Sequence, residues 1–398
     1  MSTTREAGEA YLDWAASTPM RPEALDAMVD AARAGYGNPT GSHHAARIAR
    51  RIVDDARDQV AEALGVEATQ VVFCGSGTEA DNLAIVGAHE QHRAAGRLGR
   101  VACSAVEHHA VLHPVEHLGG VVLGVDAQGQ LNLDQLAAIC DDDLAVVSVM
   151  MANNETGVIQ PLEPIRALLD EHAPQALLHT DAVQAFPWLD VAERGACADM
   201  ISLSGHKFGG PKGVGVLVVR DRHSIAAQIL GGGQEFELRS GTHNVAGIAA
   251  FGAAAQAMAN ERGAVVERVG ALRDRLVRGI AERLPDTVES AVIPVPGTAD
   301  FASPIDKVAG SAHLCFPGIE SEALLFMLER AGVYASAASS CASGAQDPSH
   351  VLAAMGYPRE LAAGSLRLSL GFGTTSDDVE RALAIIPDAV LQLRAAAA

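Results

Sequence analysis

Met200-Ile201-Ser202-Leu203-Ser204-Gly205-His206-Lys207 opens as an apolar run of strand length and ends in a polar Ser-Gly-His-Lys tetrad. It is followed by the turn Phe208-Gly209-Gly210-Pro211-Lys212-Gly213 and a second apolar run, Val214–Val219. A short apolar run bounded by turn residues reads as a strand buried on both faces. The same grammar recurs upstream. Val71–Cys74 runs into Gly75-Ser76-Gly77, Leu144–Met151 into Asn153-Asn154-Glu155, and Ala176–His179 into Thr180-Asp181. Helix-period stretches lie between them, among them Arg47–Leu64, Glu79–Ala95 and Leu162–Glu171. Buried strands alternating with helices predict an α/β fold with a mainly parallel sheet. Open sheets of this kind bind ligands beyond the carboxyl ends of their strands. Ser76–Thr78, Asn154, Asp181 and Lys207, far apart in the chain, are therefore expected to share one crevice.

The chain has 398 residues, 48% of them hydrophobic and only 4% aromatic, so a sizeable core must be filled by Val, Leu, Ile and Ala. Its length exceeds one typical domain. A helical stretch from Asn244 to Leu284 reads as a bridge between a large domain, residues 15–255, and a smaller α+β domain, residues 256–398 joined by residues 1–14. Ile293–Gly310, with its Pro and Gly, reads as surface loop. A net charge of -20 repels phosphate backbones and anionic lipid, which argues against a direct nucleic-acid or membrane partner. The polar Met1–Glu9 segment has no apolar signal core behind it, and a cytoplasmic location is expected. The six cysteines, Cys74, Cys103, Cys140, Cys197, Cys315 and Cys341, form no C-x-x-C pair, so neither a disulfide framework nor a metal site is expected. Most read as buried thiols, with Cys140 and Cys315 in apolar contexts.

Four segments carry candidate chemistry. Gly75-Ser76-Gly77-Thr78 before a helix offers backbone N–H groups and a hydroxyl to an anion such as phosphate. The same letters fit a dinucleotide fingerprint, G-x-G-x-x-A, and also a merely capped helix. Asp181, at a strand end, can pair with a protonated pyridine nitrogen or cap a helix after it. Lys207 is fed inward by a strand, where a desolvated amine has a lowered pKa and can form an imine with an aldehyde; Lys212, in the turn, reads as a solvated charge. His108 in Glu107-His108-His109 could stack on a planar cofactor or be an ordinary loop histidine. Cys341 lies in Ala335-Ser336-Ala337-Ala338-Ser339-Ser340-Cys341-Ala342-Ser343-Gly344, a segment of small and polar residues that reads as a mobile, accessible loop. Exposure suits a thiolate nucleophile, against the alternative of a tolerated surface thiol.

Taken together, these segments resemble the cysteine desulfurases of the NifS/IscS type, in the class V aminotransferase family of fold type I pyridoxal-phosphate (PLP) enzymes. The resemblance runs from Tyr11-Leu12-Asp13 to Leu368-Ser369-Leu370-Gly371, and Ser204–Lys207 with Gly209–Gly213 and the Cys341 loop with Asp347-Pro348-Ser349 are specific to the family. It implies that Lys207 carries the cofactor as an imine and that Cys341 receives sulfur from L-cysteine as a persulfide. It further implies that His108 stacks on the ring, Asp181 pairs with its nitrogen, and Gln184 bonds its hydroxyl. Gly77, Thr78, Ser204 and His206 would hold the phosphate, and Thr242 would reach the phosphate of the neighbouring subunit in a homodimer. Asn38, Asn154 and Arg367 would bind the substrate carboxylate, and a sulfur-acceptor protein would take the persulfide sulfur. The chain departs from the family pattern at Glu237, where Gly is usual, in a longer 293–310 stretch, and in more Ala before Cys341. The rival readings are a class V aminotransferase or lyase acting on another amino acid, and an NAD-binding oxidoreductase resting on Gly75–Ala80. A non-catalytic sulfur-transfer scaffold is the third.

Overall fold

The structure, a computed structural model, describes residues 8–294, 301–302, 306–337 and 349–397. Cys341 lies outside the described residues.

Seven strands form the central sheet, in the order 71–74, 215–219, 200–204, 177–181, 144–148, 100–104, 121–123. Six run in one direction, five of them as neighbours paired in parallel, while Gly215–Val219 alone in this sheet runs antiparallel to both its neighbours, Val71–Cys74 and Met200–Ser204. The strands Val71–Cys74, Leu144–Ser148, Met200–Ser204 and Gly215–Val219 are buried throughout, as expected of strands covered by helices on both faces. Four neighbouring parallel strands finish on a polar residue: Ser104, Ser148, Asp181 and Ser204. The apolar pattern of these strands thus breaks at one common level, and a cavity opens along that edge.

The expected helices form with ends shifted by a few residues, as His44–Leu64, Gly77–Ala94 and Leu162–His172. The expected bridge is one helix, Val245–Arg283, and the boundary expected at 255/256 falls inside it. It packs along Pro22–Ala34 and His44–Leu64 at one end and against the C-terminal helix Ser376–Ala397 at the other. Phe251, Phe208, Phe186 and Phe73 meet edge to face beneath it, with centroids 4.8 to 6.3 Å apart.

A second, antiparallel sheet joins Val288–Glu289, Ser311–Cys315 and Ser365–Ser369. The N-terminal segment belongs with it: Ala10–Tyr11 pairs with Val333–Tyr334, and Asp13 bridges to Ser369. The 293–310 stretch departs from the loop expectation. Ile293–Pro294 and Phe301–Ala302 pair antiparallel, and the described return from residue 306 packs inward. Val308 is buried, and Lys307 Nζ donates to Glu289 Oε1 at 2.9 Å and Ser290 O at 3.0 Å. A buried cation needs such acceptors, which a surface-loop reading cannot anticipate.

The departure at residue 237 has a backbone consequence. Glu235, Phe236 and Glu237 all have positive φ, at 48°, 59° and 68°, a left-handed run that side chains other than Gly disfavour. One buried carboxylate holds it. Glu235 accepts from Arg57 Nη1 and Nη2 at 2.8 and 2.6 Å and from the Phe73 N–H at 2.7 Å, with His243 Nε2 2.7 Å away. Burial opposes the charge, but the donors from Arg57 and His243 outweigh it and hold the carboxyl down at about 2. Glu237 itself is exposed. Glu237→Gly should relieve the left-handed strain of roughly 1–2 kcal/mol, less the entropy cost of Gly, a net gain of about 0.5–1 kcal/mol. A denaturant midpoint below that of the unaltered protein would contradict this.

Candidate active site

At the carboxyl edge of the central sheet lies a cavity of about 490 Å³. Gly77, Thr78, His108, Asn154, Asp181, Gln184, Ser204, His206, Lys207 and Arg367 all line it. Ten of the expected site residues, from separate strand ends and from the second sheet, thus meet in one place. Helix Gly77–Ala94 aims its N-terminus at the cavity, and Ser76 caps it by accepting from the Glu79 N–H at 3.1 Å. A side chain at Gly77 would be tight: a Cβ would lie 3.1 Å from Val183 Cγ2 and 3.2 Å from Ser204 Cβ. Free N–H groups at a helix start, with the hydroxyls of Thr78 and Ser204 beside them, form an anion cradle. Of the readings open on the sequence alone, the cap is present, and it leaves the cradle open to an anion.

Lys207 follows the central strand Met200–Ser204. Its Nζ donates to the carbonyls of Ala15 at 2.6 Å and Ala16 at 3.0 Å. Burial, reinforced by the Arg367 guanidinium, brings the amine down to about 8 against the opposing pull of Asp181 and Asp13. Asp181 is buried, and its Oδ1 accepts from the Val183 N–H at 2.8 Å. Burial raises it to about 6, although that N–H and Lys207 favour the charged form. Gln184 Nε2 donates to the same Ala15 carbonyl at 2.8 Å, leaving its oxygen for another donor.

His108 opens onto the cavity yet is crowded by protein. It caps helix His109–His117, its Nδ1 accepting from the Ala110 N–H at 3.1 Å. That bond leaves the proton of a neutral ring on Nε2. Burial first, then Lys207 and the neighbouring His109, His350 and His113, lower its pKa to about 4. His206 is lowered to about 4 by burial and then by Lys207 and Lys212. Values this low keep both imidazoles neutral near neutral pH, so neither adds a second cation beside Lys207.

Arg367 is held on the second sheet, on strand Ser365–Ser369. Nη1 donates to Asn154 O at 3.1 Å and Nη2 to Asp13 Oδ1 at 2.9 Å, while the buried Nε has no partner among the described residues. A buried guanidinium with an unused N–H beside an open cavity fits a carboxylate.

Two expected residues lie off the cavity. Thr242 is exposed, consistent with a role outside its own chain's site. Asn38, expected to bind the substrate carboxylate, is not among the residues lining this cavity. It is exposed, and its side-chain oxygen accepts from the Thr40 N–H at 3.1 Å and the Thr40 hydroxyl at 2.9 Å, turning the chain into helix His44–Leu64. Lys212 is exposed, as expected of a turn lysine. Among the described cysteines, Cys74, Cys103 and Cys315 are buried, while Cys140 and Cys197 are half-buried against the core.

Several lining residues carry no signal in the sequence: Ala15 and Ala16, Asp81, Glu155, Ser336 and His350. Ala15 and Ala16 act through carbonyls, which leave no trace in residue type. Ser76 stands inside the glycine motif, and its place before Gly77 with Glu79 three positions on is a readable capping signal.

The aminotransferase class-V family model matches residues 10–382. An IscS-like cysteine desulfurase of Mycobacterium tuberculosis is 40% identical over 397 residues, covering 98% of this chain and 98% of the relative. Among solved structures, a NifS-like protein superposes with a TM-score of 0.86 at 31% identity, covering 97% of this chain and 100% of that one. A structure of SspA in complex with cysteine superposes with a TM-score of 0.75 at 28% identity, covering 92% and 100%. With the match spanning both sheets and every segment that lines the cavity, the chain belongs to the aminotransferase class-V family.

Proposed function

We propose that this protein is a PLP-dependent cysteine desulfurase: L-cysteine becomes L-alanine, and its sulfur passes to Cys341 as a persulfide. The observation that carries this reading is the convergence of the lowered Lys207 amine, the Asp181 carboxyl, the neutral His108 and the Arg367 fork in one cavity. The names of the relatives supply the substrate class.

The donor set fits the cofactor. The Ser76–Thr78 helix start with Ser204 and His206 suits its phosphate, Asp181 its ring nitrogen, Gln184 its hydroxyl, and Lys207 its aldehyde. A volume of about 490 Å³ suits a ligand of that size. When bound, PLP supplies an electron sink for charge developing at the substrate α-carbon. The chain's own residues do the rest. Arg367, with Asn154 beside it, orients the substrate carboxylate. Lys207, once free, takes the α-proton, its pKa near 8 suiting a base that must also be released. His108, which lines the cavity, presents an Nε2–H that can donate a hydrogen bond to a bound ligand.

In the sulfur step the Cys341 thiolate attacks the substrate sulfur. An S–S bond forms and the C–S bond breaks, its electron pair staying with carbon, which is protonated to give alanine. Thiol plus cysteine gives persulfide plus alanine with no outside oxidant. Cys341 lies outside the described residues, but Ser336 before it and His350 after it both line the cavity, which supports the assignment. The persulfide sulfur then goes to an acceptor protein.

The assembly is a homodimer in this reading, with Thr242 directed to the partner subunit's phosphate site. Tyr36 and Leu230, 80% and 82% exposed, support a covered face there. Residues 15–255 form the cofactor domain, and residues 256–398 with 1–14 the smaller one. Among the described residues no helix is long and apolar enough to cross a membrane, and the cytoplasm is the proposed location.

Lys207→Ala should abolish the visible absorbance of the lysine-bound cofactor, read on the purified protein. Cys341→Ser should keep that absorbance and form no persulfide, detected by thiol-specific labelling; unchanged sulfide release from cysteine would refute the role of Cys341. Since only the unprotonated amine attacks an aldehyde, the rate at which cofactor-free protein captures PLP should rise with pH and level off above about 8, as stopped-flow absorbance would show.

A further inference from the structure

Asp81 is a buried acid that the proposed reaction does not use. It sits in helix Gly77–Ala94, 1% exposed, lines the cavity, and has a side-chain Oδ1 without a hydrogen-bond partner among the described residues. A chain of buried polar groups stands behind it. Ser148 Oγ lies 2.8 Å from His179 Nδ1, His179 Nε2 lies 2.9 Å from Ser202 Oγ, and Ser202 bonds Asp81. Asp81 Oδ1 is 3.7 Å from His179 Nε2, beyond hydrogen-bond reach. No ion pair forms there either, because burial lowers His179 to about 3 and keeps it neutral.

The titratable and polar groups facing Asp81, among the described residues, are Asp181, Glu107, His179 and Ser202, and none is a cation. Asp181 is better provided for. It accepts the Val183 N–H and lies in the field of Lys207. Two carboxyls that share one desolvated wall cannot both ionise without large cost, so the one with the N–H donor and the nearby cation takes the charge.

We propose that Asp81 is a neutral carboxylic acid in the working protein, paired with an ionised Asp181, and that it confines the pair's single negative charge to the side chain meant for the cofactor's ring nitrogen. Burial, then the charge of Asp181, raise the pKa of Asp81 well above the ordinary carboxylate range, in line with this. Asp81 is thus a positioning residue that acts through Asp181. Its effect at the ring rests on the PLP reading above, whereas its protonation state does not.

Infrared difference spectra of the cofactor-loaded protein against Asp81→Asn, at neutral and mildly alkaline pH, test this. The expected result is loss of one protonated-carboxyl C=O band per chain in the variant, at both pH values. Ser202→Ala, which keeps the acid but removes its hydroxyl partner, should move that band to higher frequency without abolishing it. Loss of a carboxylate signal in place of the acid band would overturn the proposal. So would an acid band that neither variant changes. Preparations without visible absorbance would count against PLP binding, while the acid band would still report on Asp81.

Discussion

Desolvation of the Lys207 amine is the constraint on which the site depends. An ammonium group among glycines and a strand end has few places to send its hydrogen bonds. Here it uses two backbone carbonyls of the N-terminal segment, Ala15 and Ala16. Those carbonyls are in place because the segment is pinned on either side: Ala10–Tyr11 pairs with Val333–Tyr334, and the Ala15 N–H donates to Ser369 Oγ at 2.9 Å. The second sheet therefore tunes a lysine that belongs to the first. The same strand, Ser365–Ser369, carries Arg367, whose positive charge further lowers the amine. Binding a substrate carboxylate at Arg367 would neutralise part of that field and so act on the base as well as on the substrate.

Buried carboxyls in this fold show how local donors decide charge. Glu235 is enclosed, yet donors from Arg57, Phe73 and His243 keep it ionised, and it uses that charge to hold three successive left-handed residues. Glu107 is equally enclosed and accepts the Met150 N–H at 2.8 Å, but with burial dominant its pKa is raised. Asp181 lies between these cases. Residue type alone separates none of them. What differs is the number of donors each oxygen meets.

Much of the architecture was legible because burial on both faces imprints each central strand with an apolar run, and the end of the run marks the sheet's polar edge. Val71–Cys74 matches its reading residue for residue, and the other runs differ only at their ends. The 293–310 stretch departs from its reading because Pro and Gly content describes local flexibility, whereas the packing of Lys307 and Val308 depends on Glu289 and on the bridge to Val158, distant in the chain. A turn-forming Asn and a ligand-binding Asn look the same in one dimension, and it is the folded chain that shows Asn38 bonded to Thr40 in a turn.

By itself the sequence determined which segments end at the polar edge and which lysine a strand feeds inward. These are properties of runs a few residues long, where period and side-chain volume suffice. Tertiary structure decided what those segments meet: that Arg367 from a separate sheet faces Lys207, that Ala15 and Ala16 hold its amine, and that Asp81 shares a cavity wall with Asp181. Distances across a sheet edge, and the dielectric they enclose, follow from strand order and from how two sheets are seated. Neither is written in any local stretch of chain.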